Sequence, residues 1–107
     1  MYKLLIARSF RRDAKVLLKK CSSLKKELTE LGAELKENPT IGIPLGRNCY
    51  KIRLAIKSKG KGKSGGARVI TYCISEIEEI IFLAIYDKQL KSDLAPHELD
   101  QLLKDYE

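Results

Sequence analysis

"CYKIRLAIK", residues 49 to 57, alternates without a break. Side chains two apart in a strand share a face, so Tyr50, Ile52, Leu54 and Ile56 fall on one side and Lys51, Arg53, Ala55 and Lys57 on the other. The stretch reads as a half-buried strand with cations on its open face. Such a strand needs partners and an apolar layer beneath it. Downstream, "ARVITYCIS" (67–75) and "EIIFLAIYDK" (79–88) read as two further strands joined by a polar turn around Ser75 to Glu79. In the last of these, unbroken alternation puts Ile81, Leu83 and Ile85 on one face and Phe82, Ala84, Tyr86 and Lys88 on the other.

The apolar layer lies upstream. After a short strand in "YKLLIA" (2–7), "SFRRDAKVLLKK" (9–20) repeats Phe10, Ala14, Leu17, Leu18 and Cys21 at helical spacing, with Ser9 expected as its N-cap. Its final lysines suit the negative pole of the helix dipole. Ser22 and Ser23 interrupt the pattern, and "LKKELTELGAELKE" (24–37) aligns Leu24, Leu28, Leu31 and Leu35 on one stripe of a second helix. Two such helices make an αα-hairpin with one apolar side to bury. Pro39, Gly42, Pro44 and Gly46 then mark "NPTIGIPLG" (38–46) as a loop, and "HELDQLLKDYE" (97–107) after Pro96 reads as a short helix. The expected fold is α+β in a single domain over residues 1–107: an N-terminal strand, an αα-hairpin packed on one face of a small antiparallel sheet, and a short C-terminal helix.

A chain of 107 residues has room for one core. No apolar run approaches the roughly eighteen residues of a membrane span, and "MYKLLIARSF" is too short in its apolar part for a signal sequence, so a cytoplasmic protein is expected. Cys21, Cys49 and Cys73 are odd in number and far apart, which disfavours a disulfide framework or paired zinc knuckles and leaves them as small buried residues. The net charge of +7 is unevenly spread: residues 1–37 carry +5, residues 38–75 carry +8 with no acid at all, and residues 76–107 carry −6. Cations without nearby acids call for an external anion, nucleic acid first among them, or else form a solvated basic face.

The common enzyme constellations are missing. There is no H-x-x-x-H, C-x-x-C or G-x-S-x-G, and His97 stands alone beside Pro96 in the acidic tail. Gly60 and Gly62 form a G-x-G that lacks the lysine-containing helix start of a phosphate loop. What remains is a set the strands could bring together: Lys51 and Arg53 on one, Arg68 at the start of the next, Tyr86 and Lys88 at the end of the third. Guanidinium groups grip phosphate oxygens in a fork and stabilise charge developing on them, and a lysine crowded by cations can act as a base. RNA could be cut there without a metal, its own 2′-hydroxyl being the nucleophile. Equally, cations on a strand's open side can serve only to solvate it.

The segments "NPTIGIPLGRNCYKIRLAIK", "GGARVITY" and "IIFLAIYDK" resemble the RelE/HigB group of bacterial type II toxins, and "GKGKSGGARVI" is most similar to the HigB-type branch. The likeness covers nearly the whole chain. It implies a small α+β protein with a basic cleft that cleaves messenger RNA on the ribosome, needs no metal or other cofactor, and is neutralised by a cognate antitoxin. It makes Lys51 and Arg53 the strand residues that contact RNA and assist proton transfer, and Arg68 the arginine that stabilises the scissile phosphate. Where RelE-type members carry a further arginine near the end of the last strand, this chain has Lys88 and Gln89, and their later tyrosine falls near Leu94. Tyr86 and Lys88, in a Y-x-K pattern similar to the HigB type, then take those places, or Tyr86 is a packing aromatic. Arg47 and the loop lysines Lys57, Lys59, Lys61 and Lys63 would position ribosome and messenger RNA, with the glycines allowing close approach to the backbone. Two alternatives share the fold: a non-catalytic toxin of the ParE type acting on DNA gyrase, and an inactive RNA-binding member.

Overall fold

The computed structural model describes residues 1–60 and 65–106. Its strands are β1 (Lys3–Ile6), β2 (Ile43–Gly46), β3 (Cys49–Leu54), β4 (Ala67–Ile74) and β5 (Glu79–Asp87), and its helices are α1 (Arg8–Lys20), α2 (Leu24–Glu37) and α3 (Glu98–Leu103). The strands form one sheet in the order β1-β5-β4-β3-β2. The α+β expectation holds, with two refinements. β1 joins β5 in parallel, so the sheet is mixed at that edge. The loop expected at 38–46 supplies an edge strand, β2, antiparallel to β3. Proline is tolerated at an edge, and Arg47 and Asn48, both at positive φ, turn the chain back into β3.

α1 and α2 cover one face of the sheet. Phe10, Ala14, Leu17, Cys21, Leu24, Leu31 and Leu35 meet Ile52, Ile56, Ala67, Val69, Ile80, Phe82 and Ile85 there. Leu24 and Leu35 are fully buried, each stabilising the fold by roughly 1.5–3 kcal/mol. Leu18, expected on this stripe, is 41% exposed. Over part of the opposite face, α3 and the segment before it lay Leu94, Leu99, Leu102 and Leu103 on Ile70, Tyr72, Ile81 and Leu83. Cys21, Cys49 and Cys73 are buried, as expected. Among the described residues no helix is long and apolar enough to cross a membrane.

β5 departs from the expected alternation. Ile70 of β4 pairs with Ala84, but Thr71 pairs with Phe82, which leaves Leu83 as an extra residue in the ladder. This bulge shifts the phase of the rest of the strand. Ile85 goes to the helix face with Phe82, while Ala84 and Tyr86 join Ile81 and Leu83 on the other face. Ser9 is not the N-cap either. That position is held by Ala7, without a side-chain cap, and the Ser9 hydroxyl instead donates to the Leu83 carbonyl at 2.6 Å.

Candidate functional site

Register places the cations. β3 and β4 pair Lys51 with Ile70 and Arg53 with Arg68, and β4 and β5 pair Arg68 with Tyr86. Directly paired residues share a face, so Arg53, Arg68 and Tyr86 form a row across three strands, with Lys51 two residues along β3. This row lies on the face away from α1 and α2. Arg68 is 5% and Tyr86 8% exposed, whereas Arg53 is open to solvent. One Arg68 nitrogen donates to its neighbour's carbonyl, Ala67 O, at 3.2 Å.

An acid from the segment after β5 closes on this row. The Lys51 Nζ donates to both Asp93 carboxylate oxygens at 3.3 and 3.4 Å, and the Tyr86 hydroxyl donates to Asp93 Oδ1 at 3.4 Å. The Leu94 N–H donates to that oxygen at 2.8 Å. This N–H, together with Lys51 and Tyr86, holds the Asp93 carboxyl below its ordinary range against the opposing effect of desolvation. Tyr86 moves the other way. Burial, then the Asp93 charge, push its hydroxyl up to about 12, while Arg68 pulls it down. Tyr86 is therefore a proton-bearing donor at neutral pH, with the Lys91 ammonium 5.4 Å from its ring centroid.

The remaining expected residues are more dispersed. The Lys88 Nζ donates to Ser92 O at 2.9 Å, within its own loop. The Lys59 Nζ donates to Asp87 Oδ1 at 2.7 Å with both side chains largely covered, a tie between the basic loop and the end of β5. Burial alone would raise the Asp87 carboxyl, but the Lys59 hydrogen bond, the Gln89 N–H and the charges of Lys59 and Lys20 together hold it below its ordinary range. Lys57 is exposed, and its N–H donates to the buried Glu27 carboxylate at 2.7 Å. Ser23, at the start of α2, accepts from the Ser58 N–H at 3.0 Å. Arg47 pairs with Asp100 of α3. Lys61 and Lys63 lie outside the described residues.

Sequence reasoning named the residues of the row but missed Asp93, which closes on it, and, away from that face, Asp87, Glu27 and the bond made by Ser9. The signal available for the acids was the charge contrast between residues 38–75 and 76–107. The arrangement can grip one tetrahedral anion between Lys51 and Tyr86, with a guanidinium beside it. Among the described residues no group of three or more metal-binding side chains occurs.

Comparison with known proteins agrees with this architecture. The family model described as the RelE toxin of the RelE/RelB toxin-antitoxin system matches residues 3–105. The free E. coli toxin RelE, in a form with two arginines replaced by alanine, superposes with a TM-score of 0.64 at 20% identity, covering 99% of this chain and 98% of that one. RelE in the intact E. coli RelBE toxin-antitoxin complex gives 0.59 at 22% identity, over 81% and 96%. The same E. coli mutant bound to a RelB antitoxin peptide gives 0.58 at 23%, over 85% and 90%. At these identities the structures speak for the fold alone; the family match over almost the whole sequence goes further, and the chain belongs to the RelE family of toxin-antitoxin toxins.

Proposed function

We propose that this protein is a metal-independent endoribonuclease that cuts messenger RNA on the ribosome and is held in check by an antitoxin. The observation that carries the reading is the Asp93 carboxylate, an anion of the chain's own, seated where Lys51 and Tyr86 converge. A phosphodiester presents the same charge and the same kind of oxygen acceptors. The Arg53 and Arg68 pairing adds two guanidinium-bearing residues to the same face, the group that grips phosphate oxygens in a fork.

In this mechanism the RNA phosphate displaces Asp93. The 2′-oxygen attacks phosphorus as its proton passes to water, with the Lys51 amine, the Asp93 partner in the free protein, holding a phosphate oxygen, and the bond from phosphorus to the 5′-oxygen breaks. The departing 5′-oxygen takes a proton from Tyr86, since an alkoxide is a stronger base than the phenolate. A 2′,3′-cyclic phosphate and a 5′-hydroxyl result. Arg68, fixed in the sheet and shielded from water, stabilises charge on the non-bridging oxygens. Arg53 and Lys57, both exposed, attract the backbone regardless of sequence. Cytoplasmic action follows from the ribosomal substrate.

Cleavage mapping in a purified translation system, with and without ribosomes, tests this reading. Arg68→Ala should lower cleavage by about 10²–10³-fold, as loss of one transition-state donor does. Arg68→Lys, which keeps the charge and loses the fork, should fall between. Because Arg68 is buried, thermal melting of each variant is measured alongside. Full cleavage by a folded Arg68→Ala protein, or none by the wild type under either condition, would sink the mechanism.

A further inference from the structure

Leu83 stands outside the pairing of β4 with β5, so its carbonyl cannot be used by the regular ladder. Carbonyls of a regular strand alternate between its two edges. Here two successive carbonyls find donors at the junction of β1 and α1: Phe82 O accepts from the Ala7 N–H at 2.9 Å, and Leu83 O accepts from the Ser9 hydroxyl at 2.6 Å. Ser9 lies one residue inside α1, and the N-cap position, where a serine hydroxyl would serve the helix, is left to Ala7. The hydroxyl is committed to the bulge. The neighbouring packing does not otherwise relieve it, for the fully buried Thr71 hydroxyl, across from Phe82, has no hydrogen-bond partner among the described residues.

The phase of everything after Leu83 depends on this arrangement. Were Leu83 drawn back into the ladder, residues 84–87 would exchange faces. Tyr86 would turn beneath the helices, and Asp87 would swing away from Lys59, its partner at 2.7 Å. We propose that Ser9 is a positioning residue for Tyr86: by holding the Leu83 carbonyl it keeps the bulge closed, and the closed bulge keeps the tyrosine beside Arg68 on the cationic face. The consequence for RNA cleavage rests on the role given to Tyr86 above; the structural coupling does not.

The test compares wild type, Ser9→Ala and Ser9→Thr by two independent readouts. Nuclear Overhauser cross-peaks between the Tyr86 ring and the Arg68 side chain report the geometry. Ribosome-dependent cleavage kinetics report its use. Ser9→Ala should lose those cross-peaks and lower kcat by about tenfold through misalignment, with KM within about twofold, and Ser9→Thr should restore both. If Ser9→Ala does not fold, Ser9→Cys, whose thiol is a weaker donor, should show the same changes in part. Cross-peaks that persist in a Ser9→Ala or Ser9→Cys protein that is merely less heat-stable would overturn the proposal. If the wild type cuts no RNA, the cross-peaks alone decide the positioning role, so the two failures stay distinct.

Discussion

Tyr86 shows how closely a side chain's chemistry follows its neighbours. Burial and the Asp93 charge place its hydroxyl at about 12, so removing the acid should release part of the shift. Asp93→Asn is expected to lower the Tyr86 midpoint toward the ordinary value of 10.0, read by ultraviolet alkaline titration as a difference from Tyr86→Phe. An unmoved midpoint would mean that burial alone sets it. The same variant should bind a short RNA about two- to fivefold more tightly, because a surface ion pair worth up to about 1 kcal/mol no longer competes with the phosphate. Asp87 gives a pH prediction of known sign. Its folded value lies below the ordinary 3.8, so the stabilisation it contributes is complete above that value and is lost as pH falls through the lower folded one. Melting temperature followed into acid should therefore decline less steeply in Asp87→Asn, and an unchanged slope would assign the decline to other carboxylates. At this scale the sequence displayed which cations exist, but not which acids meet them. Lys51 and Asp93 are 42 residues apart, and no local pattern links them.

Elements were more legible where a period runs uninterrupted. α2 begins and ends at Leu24 and Glu37 as its leucine stripe foretells, and β3 begins at Cys49 with Lys51 and Arg53 away from the helices. β2 was hidden by Pro44 and Gly46, residues that usually end strands but are accommodated at an edge. The second half of β5 was misphased because its bulge depends on Ser9, 74 residues away, and periodicity carries no such information. Leu31→Ala should destabilise by about 2–5 kcal/mol, with a smaller loss for the partly exposed Leu28→Ala, measured by urea unfolding. Equal losses would show that burial along the stripe does not grade its contribution. Gly66 sets a sharper limit at the entry to β4. A Cβ there would lie 2.1 Å from the Leu54 carbonyl oxygen, so Gly66→Ala must push the two strands apart and should lower stability by roughly 2 kcal/mol or more. A variant as stable as wild type would mean that this entry is loosely held.

Across the whole molecule, the charge contrast seen in the sequence is partly internal. Asp87, Asp93 and Asp100 of the acidic last third are spent on Lys59, Lys51 and Arg47 of the basic middle. The cationic surface offered to a partner is therefore smaller than a count of lysines suggests. With about three cations engaging phosphates, RNA affinity should fall about twentyfold between 50 and 200 mM salt; a far steeper fall would show that Lys59 and Arg47 also release their acids when RNA binds. The order of the sheet has a different kind of consequence. β5 lies between β1 and β4, so the strand nearest the start of the sequence must wait for residues 79–87 before it can pair at all. A ribosome making this protein releases the chain in order, and until residues 79–87 emerge the nascent chain has β1 without its partner and no Tyr86. The enzyme proposed here would be harmless to the machine that builds it until residues 79–87 have been added.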